Sequence, residues 1–396
     1  MNKEIFDPIH EFISITPLMQ SIIDTPEMQR LRELKQLGAT YFVYPSATHS
    51  RFAHSLGVSH LAGKMMGTLQ KNQPELEITD RDIEITRIAG LIHDIGHGPF
   101  SHMYDDHVRK YTEDEHEVRG CKEFVAMVKK YKIALNESEV LQIITMINPQ
   151  GDAMYYWPYQ IVANKLCQID VDKLDYIRRD CYHLGITIND TFSRLITKVR
   201  VVTNSNGQKI LAWPHKLEFN IFNLFAARYR LHKQVYNHHA VKAHEFIIVD
   251  ILKQLKSRLG AAAWRLTDSA IMCGLHGETQ ELRSKLQFRK IPKLIGELVV
   301  KLPHAAYDSS EPNPRTIVDL IVQDIRIGFA NGNENPLHCV HYYDNSDINL
   351  GKKRNPQNSS FCVPAAFQEL IVRMYSQGAV TQEGREEWQI LKTKFQ

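Results

Sequence analysis

The sequence predicts a mainly α protein, with a helical core over residues 1–273 and a smaller α+β lobe over residues 274–396. Three observations predict it. Apolar residues recur at helical spacing through the first two-thirds of the chain. After about Gly274 the texture changes to short β-like runs separated by loops rich in Asn, Gly and Pro. The length, 396 residues, suits one large domain or a domain with an appended lobe, and 43% apolar residues can fill a sizeable core.

Taken in order, residues 55–69 read as a helix with small residues on one side. Thr79 is a candidate N-cap, and Asp82 stands three residues on, where a capping box needs an acid. Ile85, Ile88, Ala89 and Ile92 then recur at helical spacing. Gly96 and Gly98-Pro99 end that helix just after His93-Asp94. A second helix is expected over residues 161–181, where Val162, Leu166, Ile169, Leu174 and Ile177 are apolar. Residues 195–212 alternate about Asn204-Ser205-Asn206-Gly207, the pattern of a β-hairpin. A third, long helix is expected over 217–255. In the lobe, 317–327 and 338–343 read as short strands, and 344–360 as a polar, basic loop.

The bulk numbers exclude several classes. A net charge of +3, with His neutral, leaves no electrostatic footprint for nucleic acid by itself. The six cysteines, Cys121, Cys167, Cys181, Cys273, Cys339 and Cys362, include no CxxC pair. That argues against a disulfide scaffold or a zinc knuckle and for a reducing, intracellular compartment, cytoplasmic or nuclear. The first residues lack the apolar stretch of a secretory signal, and no run of apolar residues is long enough to span a membrane. Histidine is abundant, at 19, so its placement carries the argument.

The strongest local signal is Gly90-Leu91-Ile92-His93-Asp94-Ile95-Gly96-His97-Gly98-Pro99-Phe100. An adjacent His-Asp pair at a helix end offers a metal one imidazole nitrogen and one carboxylate oxygen. His97 follows on a glycine turn that lets another group converge. Upstream, His54 at a helix start can supply a second imidazole. Downstream, Asp170-Val171-Asp172-Lys173-Leu174-Asp175-Tyr176 sets carboxylates into an otherwise apolar helix. The set His54, His93, Asp94 and Asp172 is mixed N/O ligation that suits Fe, Mn, Zn or Mg, as one ion or two. Such an ion would lower the pKa of bound water toward neutrality.

His102 and Asp105 are three apart and share a face of a helical turn, where a carboxylate would raise an imidazole's pKa as a general acid requires. His116 lies in the acidic run 113–117, which by itself reads as a solvated loop. Arg228, His232 and Tyr236 recur at four-residue intervals as one stripe of the long helix, too polar for core. A polyphosphate needs cations from several segments, and Arg51, Lys173, Arg228 and His232 can supply them. Tyr176 and Asp180 follow Asp172 by one and two turns on the same face.

Taken together, Lys3-Glu4-Ile5-Phe6-Asp7-Pro8-Ile9-His10, Ile23-Asp24-Thr25-Pro26, Arg30-Leu31-Arg32, Lys35-Gln36-Leu37-Gly38, Arg51-Phe52 with His54-Ser55-Leu56-Gly57-Val58, and the stretch from His93-Asp94 to His102 resemble the HD-domain dNTP triphosphohydrolases. The resemblance covers nearly the whole chain and is nearest to members that carry a sterile-alpha-motif domain, which is not seen here. It implies a helical HD-domain core. It implies cleavage of a dNTP to a deoxynucleoside and inorganic triphosphate. It implies metal ligands His54, His93, Asp94 and Asp172. His97, His102, Asp105 and His116 match positions that assist chemistry at the α-phosphate, with His102 protonating the leaving 5′-oxygen. Arg51, Lys173, Arg228 and His232 match triphosphate contacts, and Gln36 and Asp180 match contacts to the sugar 3′-hydroxyl. Tyr176 and Tyr236 would line the sugar, with Tyr236 excluding a 2′-hydroxyl.

The resemblance also implies activation by GTP or dGTP bound between subunits of a homo-oligomer, a dimer or tetramer. Lys3, Asp24, Gln29, Arg32, Arg289 and Lys293 match a guanine-nucleotide pocket, and Arg194 and Asn220 match part of a second, deoxynucleotide pocket. In that second pocket Trp213, His215 and His239 stand where basic residues are expected. Two other readings remain open at this point. One is a nucleotidase or phosphodiesterase of the wider HD group. The other is a single-stranded nucleic-acid binder using Lys352-Lys353-Arg354.

Overall fold

The computed structural model describes residues 3–188, 192–273, 277–302, 313–355, 359 and 361–395. Gly274, where the texture changes, and positions 356–358 and 360 of the expected basic loop lie outside the described residues.

The chain opens with an antiparallel hairpin, β1 (Lys3–Asp7) and β2 (Glu11–Ile15), in register from Lys3 opposite Ile15 to Asp7 opposite Glu11. Helices α1 (Pro17–Ile23) and α2 (Pro26–Arg30) each begin with a threonine cap followed by proline. Helix α3 (Arg51–Asn72) starts at Ser50, whose hydroxyl accepts the Ala53 N–H. Helix α4 (Asp80–Ile92) carries the expected capping box, with Thr79 and Asp82 exchanging side-chain and backbone bonds. Helices α5 (His102–His107), α6 (His116–Tyr131) and α7 (Glu137–Ile147) follow, α7 against α4. Helix α8 (Val171–Leu184) returns onto α3. Met65, Leu69, Ile88, Ile92, Ile143, Leu174 and Ile177 meet in the main core between these helices.

Helix α9 (Phe192–Thr197) leads into the hairpin β3 (Arg200–Thr203) and β4 (Lys209–Pro214), which turns at Gly207 as expected. Helices α10 (Glu218–Leu231), α11 (His239–Leu259), α12 (Asp268–Cys273) and α13 (Gln280–Gln287) complete the helical part. Strands β5 (Lys293–Lys301), β6 (Arg315–Ile317) and β7 (Leu320–Gly328) form an antiparallel sheet with β10 (Gln368–Ser376), in the order β5-β10-β7-β6. Strands β8 (His341–Asp344) and β9 (Asp347–Lys353) instead join the earlier hairpin and close it in the order β3-β4-β8-β9. Helix α14 (Gln382–Thr393) covers β5 and packs Trp388 with Val322 and Met374. The architecture is thus mainly helical, with a smaller strand-containing C-terminal region. No helix among the described residues is long and apolar enough to cross a membrane.

Several expected elements differ. Residues 161–170 are not helical. Asn164 Oδ1 accepts the N–H groups of Leu166 and Cys167, and Gln168 has φ 61°, so side-chain bonds divert the backbone until Asp170 caps α8. The single helix expected over 217–255 is two helices. A π-helical turn at His232–Tyr236 ends α10, and the His238 ring caps α11 by accepting the Ala240 N–H. The first residues of the expected hairpin, Leu195 to Thr197, belong to α9. The basic loop contains strand β9, and His338 belongs to a 3-10 turn, Pro336–Cys339.

Candidate active site

The first turns of α3 and α8 meet the last turn of α4. The Ser50 cap fixes the start of α3, so Arg51 and His54 project from its first turn. Past His93 the chain turns at Gly96, where a Cβ would overlap the His116 carbonyl. Asp172 follows the Asp170 cap of α8. His54 Nε2 lies 3.2 Å from His93 Nε2 and 3.0 Å from Asp172 Oδ1. His93 Nε2 lies 3.5 Å from Asp172 Oδ1 and 3.4 Å from Asp94 Oδ1, and His54 Nε2 is 3.7 Å from Asp94 Oδ2. Around a metal with bonds of about 2.1 Å, neighbouring donors stand roughly 3.0 Å apart at right angles and roughly 3.4 Å apart in a tetrahedron. The two imidazoles stand near those separations from each other and from both carboxylates; His54, His93 and Asp94 form one metal-type group, which Asp172 joins through its contacts to the two imidazoles.

The protons support the same conclusion. Burial opposes charge on Asp175, but Arg179 and hydrogen bonds from His10 and His54 hold its carboxyl well below the usual range. An ionised carboxylate only accepts, so His54 Nδ1 carries a proton and donates it to Asp175 at 2.8 Å. His93 Nδ1 donates to the Gly90 carbonyl at 2.8 Å. Both Nε2 atoms therefore face each other and two carboxylates, and positive charge is required between them. Burial opposes it, yet hydrogen bonds to Asp172 and Asp175 pull the His54 imidazole up to about 10. A site that draws a proton so strongly can equally hold a divalent cation.

A second group, His97, His102 and His116, has its donor atoms within 4.8 Å of one another. His97 stacks on His116 with 3.9 Å between ring centroids, and His102 meets His97 edge-on at 5.0 Å. Asp105 does not pair with His102 as expected. Its carboxylate accepts from Arg119 Nη2 at 3.1 Å through Oδ2 and lies 3.5 Å from His116 Nδ1, because that side of α5 faces α6. The His102 ring opens to the cavity instead. Desolvation, with the nearby Arg51 and His116 charges, lowers its pKa to about 4, opposite to the expected rise. Burial, then Arg51, holds His97 well below its ordinary value. Nor is His116 in a free loop; it opens α6.

A cavity of about 600 Å³ opens from these groups. Arg51, Lys173, Arg228 and His232 line it, as do Gln36, Tyr176, Asp180 and Tyr236. Arg51 donates to Asp94 Oδ2 and, through Nε, to Ser101 Oγ at 2.7 Å. Lys173 Nζ is 2.9 Å from Asp170 Oδ2. Arg228 Nη1 donates to the Gly328 carbonyl at 2.9 Å, while its Nε is buried with no hydrogen-bond partner. Gln36 Oε1 is also buried without one. The Tyr236 hydroxyl donates to Asp180 Oδ2 at 2.5 Å, and Asp180 Oδ1 lies 2.7 Å from His49 Nε2. His232 is not the cation expected. Burial, then Arg228, holds its pKa well below the ordinary value, so it offers a neutral ring.

The activator-matching residues lie elsewhere. Asp24 and Arg32 are exposed and Gln29 half-buried; Arg32 Nε donates to Gln29 Oε1 at 2.8 Å, and Gln20 Nε2 donates to Asp24 Oδ1 at 2.5 Å. Lys3 and Lys293 start β1 and β5, both exposed. Arg289 is exposed, with Nη1 3.4 Å from the Phe42 carbonyl. Arg194 is exposed on α9 and Asn220 buried in α10. Trp213 is fully buried and donates Nε1–H to the Leu195 carbonyl at 2.8 Å, so it is a core residue and not the lining of a surface pocket.

Several positioning residues escaped the sequence reading. Asp175 orients His54, and His49 holds Asp180; Asp175 stands in the carboxylate-bearing stretch 170–176 and His49 two residues before Arg51, but only the fold shows which partner each meets. Arg30 donates to the carbonyls of Ile95 and His97, and Arg119 to that of Gly96, so two guanidiniums satisfy the turn after α4. Asp268 accepts the N–H groups of Phe100 at 2.7 Å and Lys35 at 2.8 Å. No spacing signal in the sequence connects these residues.

Residues 51–180 match the HD domain family. That stretch starts and ends on cavity residues and contains all four metal-type donors. The chain is 34% identical to the deoxynucleoside triphosphate triphosphohydrolase SAMHD1 of Gallus gallus, over 93% of this chain and 71% of that protein. It is 31% identical to the Homo sapiens protein of that name, over 94% and 70%. The SAMHD1 homolog of Dictyostelium discoideum is 32% identical, over 94% and 77%. The chain therefore belongs to the SAMHD1 family of deoxynucleoside triphosphate triphosphohydrolases.

Proposed function

We propose that the cavity hydrolyses deoxynucleoside triphosphates to a deoxynucleoside and inorganic triphosphate, with a divalent ion held by His54, His93, Asp94 and Asp172. One observation carries the reading: the donor set and three cationic arms, Arg51, Lys173 and Arg228, open into the same cavity as the Tyr236–Asp180 pair. Bound there, a divalent ion supplies Lewis-acid polarisation and a more acidic water.

The chain's own residues do the rest. Arg51, fixed between Asp94 and Ser101, needs no reorganisation to meet a phosphate oxygen. The unpartnered Arg228 Nε has a donor to spare for the same triphosphate. Neutral His102 gains its proton once a polyphosphate stands opposite, because negative charge raises an imidazole's pKa. It then gives that proton to the leaving 5′-oxygen, while His97 and the Asp105-held His116 pack its ring. The sugar 3′-hydroxyl donates its one proton to the Asp180 carboxylate and accepts from the Gln36 side-chain amide. Tyr176 lines the sugar, and Tyr236, pinned by Asp180, fills the space of a 2′-hydroxyl.

We also infer activation by a guanine nucleotide in a homo-oligomer, with Lys3, Asp24, Gln29, Arg32, Arg289 and Lys293 as contacts. An exposed carboxylate at Asp24 suits the two donors of a guanine edge. The test is incubation with each dNTP, with and without GTP, at several protein concentrations, with chromatography of the products. Triphosphate equimolar with deoxynucleoside is expected, and none from His93→Ala/Asp94→Ala. Orthophosphate or pyrophosphate as the product would overturn the reading.

A further inference from the structure

We propose that His10, in the turn of the N-terminal hairpin, positions the metal ligand His54 through the Asp175 carboxylate. The proposal rests on the metal reading of His54 above and adds a residue from outside the HD match to it. Asp175 Oδ2 accepts from His54 Nδ1, and Asp175 Oδ1 accepts from His10 Nε2 at 2.6 Å. The side chains of His10 and Asp175 are 3% and 0% exposed, so the contact is water-free. Arg179, one turn along α8, donates Nε and Nη2 to the same carboxylate at 2.8 and 3.0 Å. Its Nη1 donates to Asp7 Oδ2 at 2.8 Å. Asp7 Oδ1 in turn accepts the backbone N–H groups of Ile9 and His10, so one aspartate shapes the turn that presents His10. The His10 ring stacks on His60 with 5.2 Å between centroids.

The hydrogen bond from His54 Nδ1 selects the tautomer whose Nε2 lone pair is free, and it sets the plane of the ring. It can do so only if the carboxylate itself cannot turn. Arg179 shares a helix with Asp175 and ties it to its own backbone. His10 is the donor that comes from a third element and fixes the carboxylate with respect to α3. Without it, Oδ1 loses its shortest contact and the group swings toward Arg179. Losses of this outer kind typically cost about 10- to 100-fold in metal affinity.

The test is Mn²⁺ binding to the full chain, read from the paramagnetic resonance of free Mn²⁺, with thermal melts to check folding. His10→Leu, which has no donor, should bind about tenfold more weakly or worse. His10→Gln, whose amide nitrogen reaches nearly as far as the imidazole Nε2, should stay within about threefold of wild type. Wild-type affinity in folded His10→Leu overturns the proposal. So does a His10→Gln protein as weak as His10→Leu, since packing would then explain both. If His10→Leu does not fold, His10→Asn, one methylene shorter than the glutamine, takes its place under the same criterion. His93→Ala/Asp94→Ala separates the two readings: if it binds Mn²⁺ like wild type, the metal site itself is wrong, whereas the His10 variants alone decide the positioning role.

Discussion

Phe100 and Ser101 stand consecutively in the left-handed region, with φ of 57° and 63°. Each such residue costs on the order of 1 kcal/mol or more, so something must hold the turn. Asp268 does, accepting the Phe100 and Lys35 N–H groups, while Ser101 Oγ donates to the Lys35 carbonyl and accepts from Arg51. The strain thus places Arg51 at the cavity and His102 at the start of α5. Burial raises the Asp268 pKa to about 6, against the lowering effect of its two backbone donors. The folded state then holds the proton more tightly than the unfolded chain. The stabilisation is fully present below the unfolded pKa, near 4, and is lost as pH rises through 6. Asp268→Asn has no such proton. The stability advantage of wild type over that variant should shrink by about 1 kcal/mol between pH 5 and pH 7. Denaturant titrations at the two pH values check this, and a constant difference would refute it.

Helix α3 separates two kinds of glycine, and the separation can be measured. A Cβ on Gly57 would overlap the Asp175 carboxylate and the Arg179 guanidinium of α8, both fully buried. A Cβ on Gly67 would meet nothing within 4 Å. Alanine gains about 1 kcal/mol of helix propensity at either place. Gly67→Ala should therefore stabilise by up to about 1 kcal/mol. Gly57→Ala should destabilise by about 2 kcal/mol or more and weaken Mn²⁺ binding, because overpacking displaces the group that orients His54. Equal effects at the two sites would contradict the α3–α8 contact. The same helices mark what could be read from sequence. Thr79, Asp82 and the Ile85–Ile92 spacing specify α4 locally, and the His-Asp pair at its end advertises its chemistry. Residues 161–170 carry helical apolar spacing too, but Asn164 and Asp170 spend their side chains on local backbone groups. The break at Asn237 depends on Arg373, whose Nη1 donates to the Asn237 carbonyl at 2.6 Å from a distant strand. The donors could be chosen from strings of residue types, whereas the pairing of Asp105 with His116 and the neutrality of His232 are products of burial, which spacing does not encode.

Strands β8 and β9 lie late in the chain, yet they close the sheet begun by β3 and β4, and Tyr343 donates its hydroxyl to the Lys198 carbonyl at 2.8 Å. Phe329, Leu337, Val340, Tyr342 and Phe367, all beyond residue 273, are buried in the main core with the helices. At about 1.5–3 kcal/mol for each buried side chain, these five contribute roughly 8–15 kcal/mol. That equals the whole net stability of a typical domain, about 5–15 kcal/mol. The cavity shares the dependence, because its lining residue Arg228 is anchored on the Gly328 carbonyl of β7 and the neighbouring Tyr229 stacks on Phe329 at 4.9 Å. The helical part should then have no stable folded state of its own. Calorimetry of the full chain should give one cooperative unfolding transition, and a chain cut after residue 273 should lose its fixed near-ultraviolet dichroism and bind hydrophobic dye. Two separated transitions, or a truncated chain that melts sharply and still binds Mn²⁺, would mean that the core stands without the strands that complete it.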